Sequence, residues 1–239
     1  MDKGYVCYAW EIMTTIANNL QAIHARIANA CEAAGRPAGS VALLAVSKTF
    51  GADAIAQAHS AGQAAFGENY IQEAVEKITA LAHLPLQWHC IGTVQSNKSR
   101  LVAEHFDWVH TVDRLKIAQR LSDQRPDHLA PLQVCIQVNV DGGATKSGVA
   151  PGDALELARS VARLPGLHLR GIMCIPEPAP DFIAACALFT GARALFDQLN
   201  LAGMSLDTLS MGMSADLEAA IASGSTMVRV GSAIFGQRR

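Results

Sequence analysis

Short apolar, strand-like runs alternate with Ala- and Leu-rich segments of helical period from one end of the chain to the other. The runs lie at 41–47, 64–67, 86–91, 108–112, 132–140, 167–175, 208–211 and 227–235. Between them, segments such as 71–81, 114–121, 154–164, 182–199 and 215–223 carry the 3.6-residue period of helices with one apolar face. A further amphipathic stretch, 13–34, precedes the first run and is closed by Gly35-Arg36-Pro37, a helix stop. Strands alternating with helices pair in parallel through right-handed crossovers. Eight such units predict the α/β class and a single (β/α)8 TIM barrel with an extra N-terminal helix. The competing fold is an open doubly wound sheet, and no Gly-x-Gly-x-x-Gly follows the first strand to favour it.

No linker or shift of composition divides the 239 residues. One barrel domain is therefore expected over 13–239. Residues 1–12 are set apart as an N-terminal extension, for which disorder is one expectation and a true start at Met13 another. With 50% hydrophobic and 17% charged residues the chain is not of the disordered class. At this length it can bury roughly 70–75% of its unfolded surface.

A formal net charge of −2 leaves no electrostatic footprint for nucleic acid or an anionic membrane. No apolar run is read as reaching the roughly 18 residues of a membrane span. The N-terminus lacks the basic-then-apolar order of a signal peptide. A soluble, cytoplasmic protein is expected. The six cysteines are widely spaced without Cys-x-x-Cys, and the eight histidines show no His-Glu-x-x-His. That spacing argues against a disulfide scaffold and a zinc site alike, and no metal is expected. The loop Asp141-Gly142-Gly143-Ala144-Thr145-Lys146-Ser147 approaches a phosphate loop but has Thr145 where a glycine must precede the lysine.

A barrel builds its site at the carboxyl ends of its strands. There the first run leads into Lys48, the second into Glu68-Asn69, the third carries His89, and the fourth reaches Asp113. The fifth ends at Asn139 before the Lys146 loop, and the seventh and eighth carry Ser210 to Ser214 and Arg229 to Ser232. An amine behind an apolar lead-in is partly desolvated, which lowers its pKa and suits an imine-forming nucleophile. Ser210 and Ser214 flank the Gly212 turn before a helix, and Gly231-Ser232 offers a second small-residue approach for an anion. A lysine that forms an imine, together with a phosphate cup at the last two strands, points to pyridoxal phosphate. Taken singly, each residue has a plainer reading: Lys48 as a structural residue, Arg229 paired with Glu68, Lys146 as a solvated loop charge, Asp113 and Asn139 as caps.

Several blocks carry a family resemblance: Ala45-Val46-Ser47-Lys48, Phe66-Gly67-Glu68-Asn69-Tyr70, Trp88-His89-x-Ile91-Gly92, Gln95-Ser96-Asn97-Lys98, Lys146-Ser147-Gly148, Arg170-Gly171-Ile172-Met173, Leu209-Ser210-Met211-Gly212-Met213-Ser214 and Val228-Arg229-Val230-Gly231-Ser232. In this order, over about 16 to 236, they resemble the pyridoxal phosphate homeostasis proteins, stand-alone barrels similar to the cofactor domain of alanine racemase and the fold-type III decarboxylases. The resemblance implies that Lys48 forms the aldimine and that Ser210, Gly231 and Ser232 hold the phosphate. It places Arg229 at the pyridine nitrogen, Asn69 and His89 along the ring, and Lys146 on a mobile loop nearby; Met211, like Met173 and Met213, is read from its residue type as packing around the ring. Family members usually have Thr at the position of Ser232, which keeps the hydroxyl. Thr93-Val94 and the glycines of Asp141-Gly142-Gly143 depart from the pattern in loop shape only.

The cofactor works best as an electron sink when its ring nitrogen is protonated, and an arginine offers that nitrogen donors only. Racemases with this arrangement use a tyrosine from an added domain as a second base. Here only Tyr5, Tyr8 and Tyr70 occur, and four residues follow the eighth run. The expectation is a cofactor holder with no catalytic residue, acting in vitamin B6 homeostasis by storing pyridoxal phosphate or delivering it to apo-enzymes, and monomeric. The alternative is a fold-type III amino-acid racemase or lyase of narrow specificity using Lys48 with Lys146 or His89.

Overall fold

The computed structural model describes residues 3–143 and 147–236, with side chains from residue 15 onward. The expected alternation is present throughout. Helix α1 (Lys3–Ala33) leads into β1 (Ala42–Val46) and α2 (Ala52–Ser60), then β2 (Ala65–Glu68) and α3 (Ile71–Ala80). Next come β3 (Gln87–Cys90), α4 (Ser99–His105), β4 (Trp108–Val112), α5 (Leu115–Asp123) and β5 (Leu132–Gln137). The chain continues through α6 (Ala154–Val161), β6 (Leu167–Met173), α7 (Phe182–Leu201), β7 (Thr208–Ser210), α8 (Leu217–Ala222), β8 (Met227–Val230) and α9 (Ser232–Phe235). The strands pair in parallel and in chain order, and β8 closes on β1 with Ala42 opposite Met227 and Leu44 opposite Arg229. The fold is a (β/α)8 barrel.

Successive side chains of a strand face opposite ways, so each strand divides its residues between two cores. Leu43, Ala45, Phe66, Trp88, Val109, Ile172, Leu209, Met211 and Val228 pack outward beneath the helices. The alternate positions fill the axis, where Trp108, Cys135 and Met173 form a separate inner cluster. The amino-terminal end of the axis is filled by polar groups. Arg170 pairs with the Asp207 carboxylate at 2.6 Å, donates to Gln133 at 2.9 Å and lies 4.9 Å over the Trp108 ring. Trp108 stacks on His89 with centroids 5.2 Å apart. Between β6 and β7 the backbones approach so closely that a Cβ at Gly171 would overlap the Thr208 carbonyl.

Helix α1 buries Ile16, Leu20, Ile23, Ile27 and Ala30, spaced three or four apart, across α8, α9 and α2 where the barrel closes. Arg26 bonds both Glu218 oxygens, and Arg36 donates to the carbonyls of Ile221 and Ser225 as α8 ends. The eighth run departs from expectation. It leaves the sheet at Gly231 and winds into α9, closed by Phe235 N–H to Gly231 at 3.0 Å. Its apolar residues serve side contacts instead: Asn19 donates to the Ile234 carbonyl, and Phe235 stacks on Phe50 at 5.1 Å. Helix α7 corrects a second expectation, since its 20 residues have the length and apolarity of a membrane span. Ala185, Phe189, Ala192, Phe196 and Leu199 along one face are buried in the fold, which accounts for that apolarity.

Candidate functional site

At the carboxyl end of the strands lies a cavity of about 380 Å³, large enough for a small cofactor. Strand order brings together residues far apart in the chain. Lys48 enters from the end of β1, Asn69 from β2, Arg229 from β8, and Gly231 and Ser232 from the turn into α9. Five of the nine expected positions therefore line one space. Ile91, Met173 and Ile175 supply an apolar wall, and Ser214 and Ala215 a small-residue rim.

Lys48 sits at the second position of a turn, closed by Phe50 N–H to the Ser47 carbonyl at 3.0 Å. Thr49, at the third position, has φ +69°. That left-handed backbone suits glycine or asparagine and strains a β-branched residue. The turn lifts the Lys48 side chain out of the wall of β1 and into the cavity. Asn69 contributes a side-chain oxygen, Oδ1, that is buried without a protein partner, a group waiting for a donor.

Arg229 is buried on the inner face of β8. Its Nη1 donates to Ser210 Oγ at 2.8 Å and its Nη2 to the Cys174 carbonyl at 3.0 Å. Burial pulls it below its ordinary value, but a guanidinium stays protonated. Glu68, the alternative partner raised from sequence, lies on the outer face and is held by Lys77 and Ser47. Burial pushes the Glu68 carboxyl up, opposed by those two hydrogen bonds.

Beneath Arg229 the axis carries a continuous hydrogen-bond chain. Ser210 Oγ lies 3.0 Å from His110 Nδ1, His110 Nε2 lies 2.9 Å from His89 Nδ1, and His89 Nε2 lies 3.0 Å from Gln87 Oε1. Burial holds the His89 imidazole down at about 3. It lowers His110 well below the usual range, helped by the neighbouring His89 and Arg229. Both rings are thus neutral, and each has one N–H and one lone pair. Gln87 Oε1 can only accept, so His89 carries its proton on Nε2 and receives one from His110 Nε2. His110 in turn accepts from the Ser210 hydroxyl, which accepts from Arg229. Every donor points away from the guanidinium and every lone pair toward it. The chain sets a row of aligned dipoles against a buried cation.

Three expected ligand-facing residues therefore have other placements. His89 is in the barrel floor rather than along a ring, because its β3 position is one layer below Ile91. Ser210 orients Arg229 from below, and Ser214 occupies the rim instead. Met211 points outward into the helix-packed core, as its place next to inward-facing Ser210 requires. Lys146 lies outside the described residues. Sequence reasoning missed His110, whose signal was alternation with Trp108 along β4. It also missed Lys77, which stands on the buried face of α3 with Ile71 and Ala74.

Comparison with known proteins adds the lineage. Residues 18–239 match the family model described as "Alanine racemase, N-terminal domain". The pyridoxal phosphate homeostasis protein of Pseudomonas aeruginosa is 59% identical over 226 residues, covering 95% of this chain and 97% of that one. This chain belongs to the pyridoxal phosphate homeostasis protein family. The Escherichia coli member is 52% identical over 229 residues, covering 95% and 98% of the two chains. Among solved structures, that of PipY from Synechococcus elongatus with PLP bound superposes with a TM-score of 0.80 at 37% identity, covering 92% of this chain and 100% of that one. An alanine racemase from Clostridium difficile shares the fold at a TM-score of 0.74 and 16% identity, with 57% of its length covered. This chain thus matches nearly the full length of both curated relatives and 57% of that racemase chain.

Proposed function

We propose that this protein binds pyridoxal 5′-phosphate reversibly in the strand-end cavity, with Lys48 as covalent anchor, and acts in vitamin B6 homeostasis by storing the cofactor or delivering it to apo-enzymes. The observation that carries this reading is the meeting of an amine, a buried guanidinium and a glycine-lined turn in one 380 Å³ space. The residues fit the group. The cofactor supplies an aldehyde that condenses with an amine, forming a C=N bond and releasing one water. Lys48 is the amine at the mouth. Arg229, which can only donate, is matched to a ring nitrogen that accepts. Gly231 lets backbone approach an anion closely, and the first N–H groups of α9 have no carbonyl partner within that helix. Ser232 and Ser214 add hydroxyls, and Asn69 Oδ1 accepts a donor.

The same donor set argues for holding rather than turnover. A ring nitrogen facing a guanidinium stays unprotonated and withdraws electrons weakly. The chain's row of dipoles beneath Arg229 fixes that cation in place. In this reading residues 13–239 are one cofactor-binding domain of a monomeric, cytoplasmic protein, and Lys146 acts from its loop near the mouth.

The test is the visible absorption spectrum of the purified protein with added pyridoxal 5′-phosphate, before and after borohydride, with Lys48→Ala alongside. A band lost irreversibly on reduction, with the adduct mass on the Lys48 peptide, and in Lys48→Ala neither that adduct nor the parent's band, is the expected result. Identical spectra for parent and variant would show that Lys48 is the wrong lysine, and a parent that takes up none would overturn the reading.

A further inference from the structure

Directly behind the Lys48 turn, on the outer face of β1 and β2, lies an ion cluster that the cavity does not use. Lys77, 7% exposed, reaches from α3 to three acceptors. Its Nζ is 3.0 Å from the Ser47 carbonyl, 2.8 Å from Glu68 Oε1 and 2.5 Å from Glu73 Oε1. Glu68 Oε1 also accepts from the Ser47 hydroxyl at 2.7 Å, and Glu73 Oε1 from the Thr49 N–H at 2.8 Å. Both residues flanking Lys48 are thus tied, one directly and one through Glu73, to a single buried ammonium. Thr49 is the residue with left-handed backbone.

A β-branched residue keeps that conformation only where its surroundings over-determine it. Here the restraints are the Ser47 carbonyl, shared between Phe50 N–H and Lys77, and the Thr49 N–H, fixed by Glu73. We infer that Lys77 is a positioning residue for Lys48: through Ser47 and Glu73 it holds the strained turn that aims the Lys48 amine into the cavity. This rests on the reading of Lys48 as the covalent anchor. The phosphate end of the cavity, at Gly231 and Ser232, is built by β8 and α9 and has no part in the cluster. Loss of Lys77 therefore acts on capture of the aldehyde and spares non-covalent binding of the rest of the molecule.

The experiment compares two probes, pyridoxal 5′-phosphate and pyridoxine 5′-phosphate, which carries an alcohol in place of the aldehyde and cannot condense with an amine. In Lys77→Met, affinity for the aldehyde falls about tenfold, the scale on which one relaxed backbone strain acts, while affinity for the alcohol stays within about twofold. Adding Thr49→Gly, which adopts positive φ without a clamp, restores most of the loss. If Lys77→Met fails to fold, Glu73→Met, at a partly exposed position, gives the same split and the same rescue. Equal weakening of both probes, or no rescue by glycine, would mean that the cluster is structural only and overturns the inference. Unchanged aldehyde binding in Lys77→Met does so too, with the role of Lys48 left standing. A parent protein that captures no aldehyde at all removes both readings together.

Discussion

The neutral state of the axial histidines makes a quantitative prediction about acid stability. In the folded protein burial holds His89 at about 3, against an ordinary value of 6.5. Between those two values the unfolded chain binds a proton at this position and the folded chain does not. Stability is therefore complete above pH 6.5 and falls as pH drops, at about 1.4 kcal/mol per pH unit for each such group. From pH 7 to pH 5 His89 alone accounts for a loss of about 2 kcal/mol. Burial pushes the Glu68 carboxyl up, which acts on stability in the opposite sense as pH falls, so a difference measurement is needed. Urea unfolding of the parent and of His89→Gln, which keeps a donor for Gln87 but does not titrate, should be followed at half-unit steps from pH 7 to 5. The variant begins less stable, through its imperfect fit to His110, and the gap narrows by about 2 kcal/mol at pH 5. A gap that stays constant would show that His89 takes up its proton as readily in the fold as in the unfolded chain. The donor order from Arg229 to Gln87 would then be wrong.

Two further outcomes test other parts of the structure. A Cβ at Gly231 would lie 3.1 Å from the Val46 carbonyl oxygen and 3.3 Å from the Val46 Cβ. Gly231→Ala should hold its melting temperature within a few degrees yet weaken pyridoxal 5′-phosphate binding about tenfold, equivalent to about 1.4 kcal/mol, by titration of absorbance. Burial pushes the Cys90 and Cys135 thiols up to about 12, whereas Cys186 is only partly covered. Among the cysteines with described side chains, iodoacetamide at pH 8 should label Cys186 first, and peptide masses showing early modification of Cys90 or Cys135 would contradict the packing of the barrel wall.

What the sequence made legible was whatever is periodic or local. Strand runs separated by helical segments are enough to predict the barrel, and a strand-end rule places Lys48, Asn69 and Arg229 at one mouth. Two kinds of information were hidden. Partners that meet only on closure, such as His110 with Ser210, 100 residues apart, leave no trace in local pattern. The role of Lys77 was also hidden, because a lysine on the apolar stripe of α3 reveals its function only when Glu68 and the Ser47 carbonyl arrive opposite it. One misplacement was avoidable. Ser210 and Met211 are consecutive in a strand register and cannot both face the axis, so choosing the serine as inward already assigned the methionine to the helices. The eighth run shows the reverse case: apolar continuity through 233–235 suggests extended backbone, whereas the strand ends before Gly231 and the apolar residues belong to α9.

The filled axis has a kinetic consequence. With Arg170, Trp108 and His89 stacked across the amino-terminal end, the axis is filled there among the described residues, and a molecule in the cavity would arrive and depart by the same doorway. In the proposed role, loading from solvent and unloading to another protein would compete for one aperture instead of running in series through a conduit. A recipient seated over the mouth would shut off refilling for as long as it stayed, so each visit could carry away one molecule at most. Throughput would be set by how quickly the visitor leaves, and the barrel would behave as a turnstile.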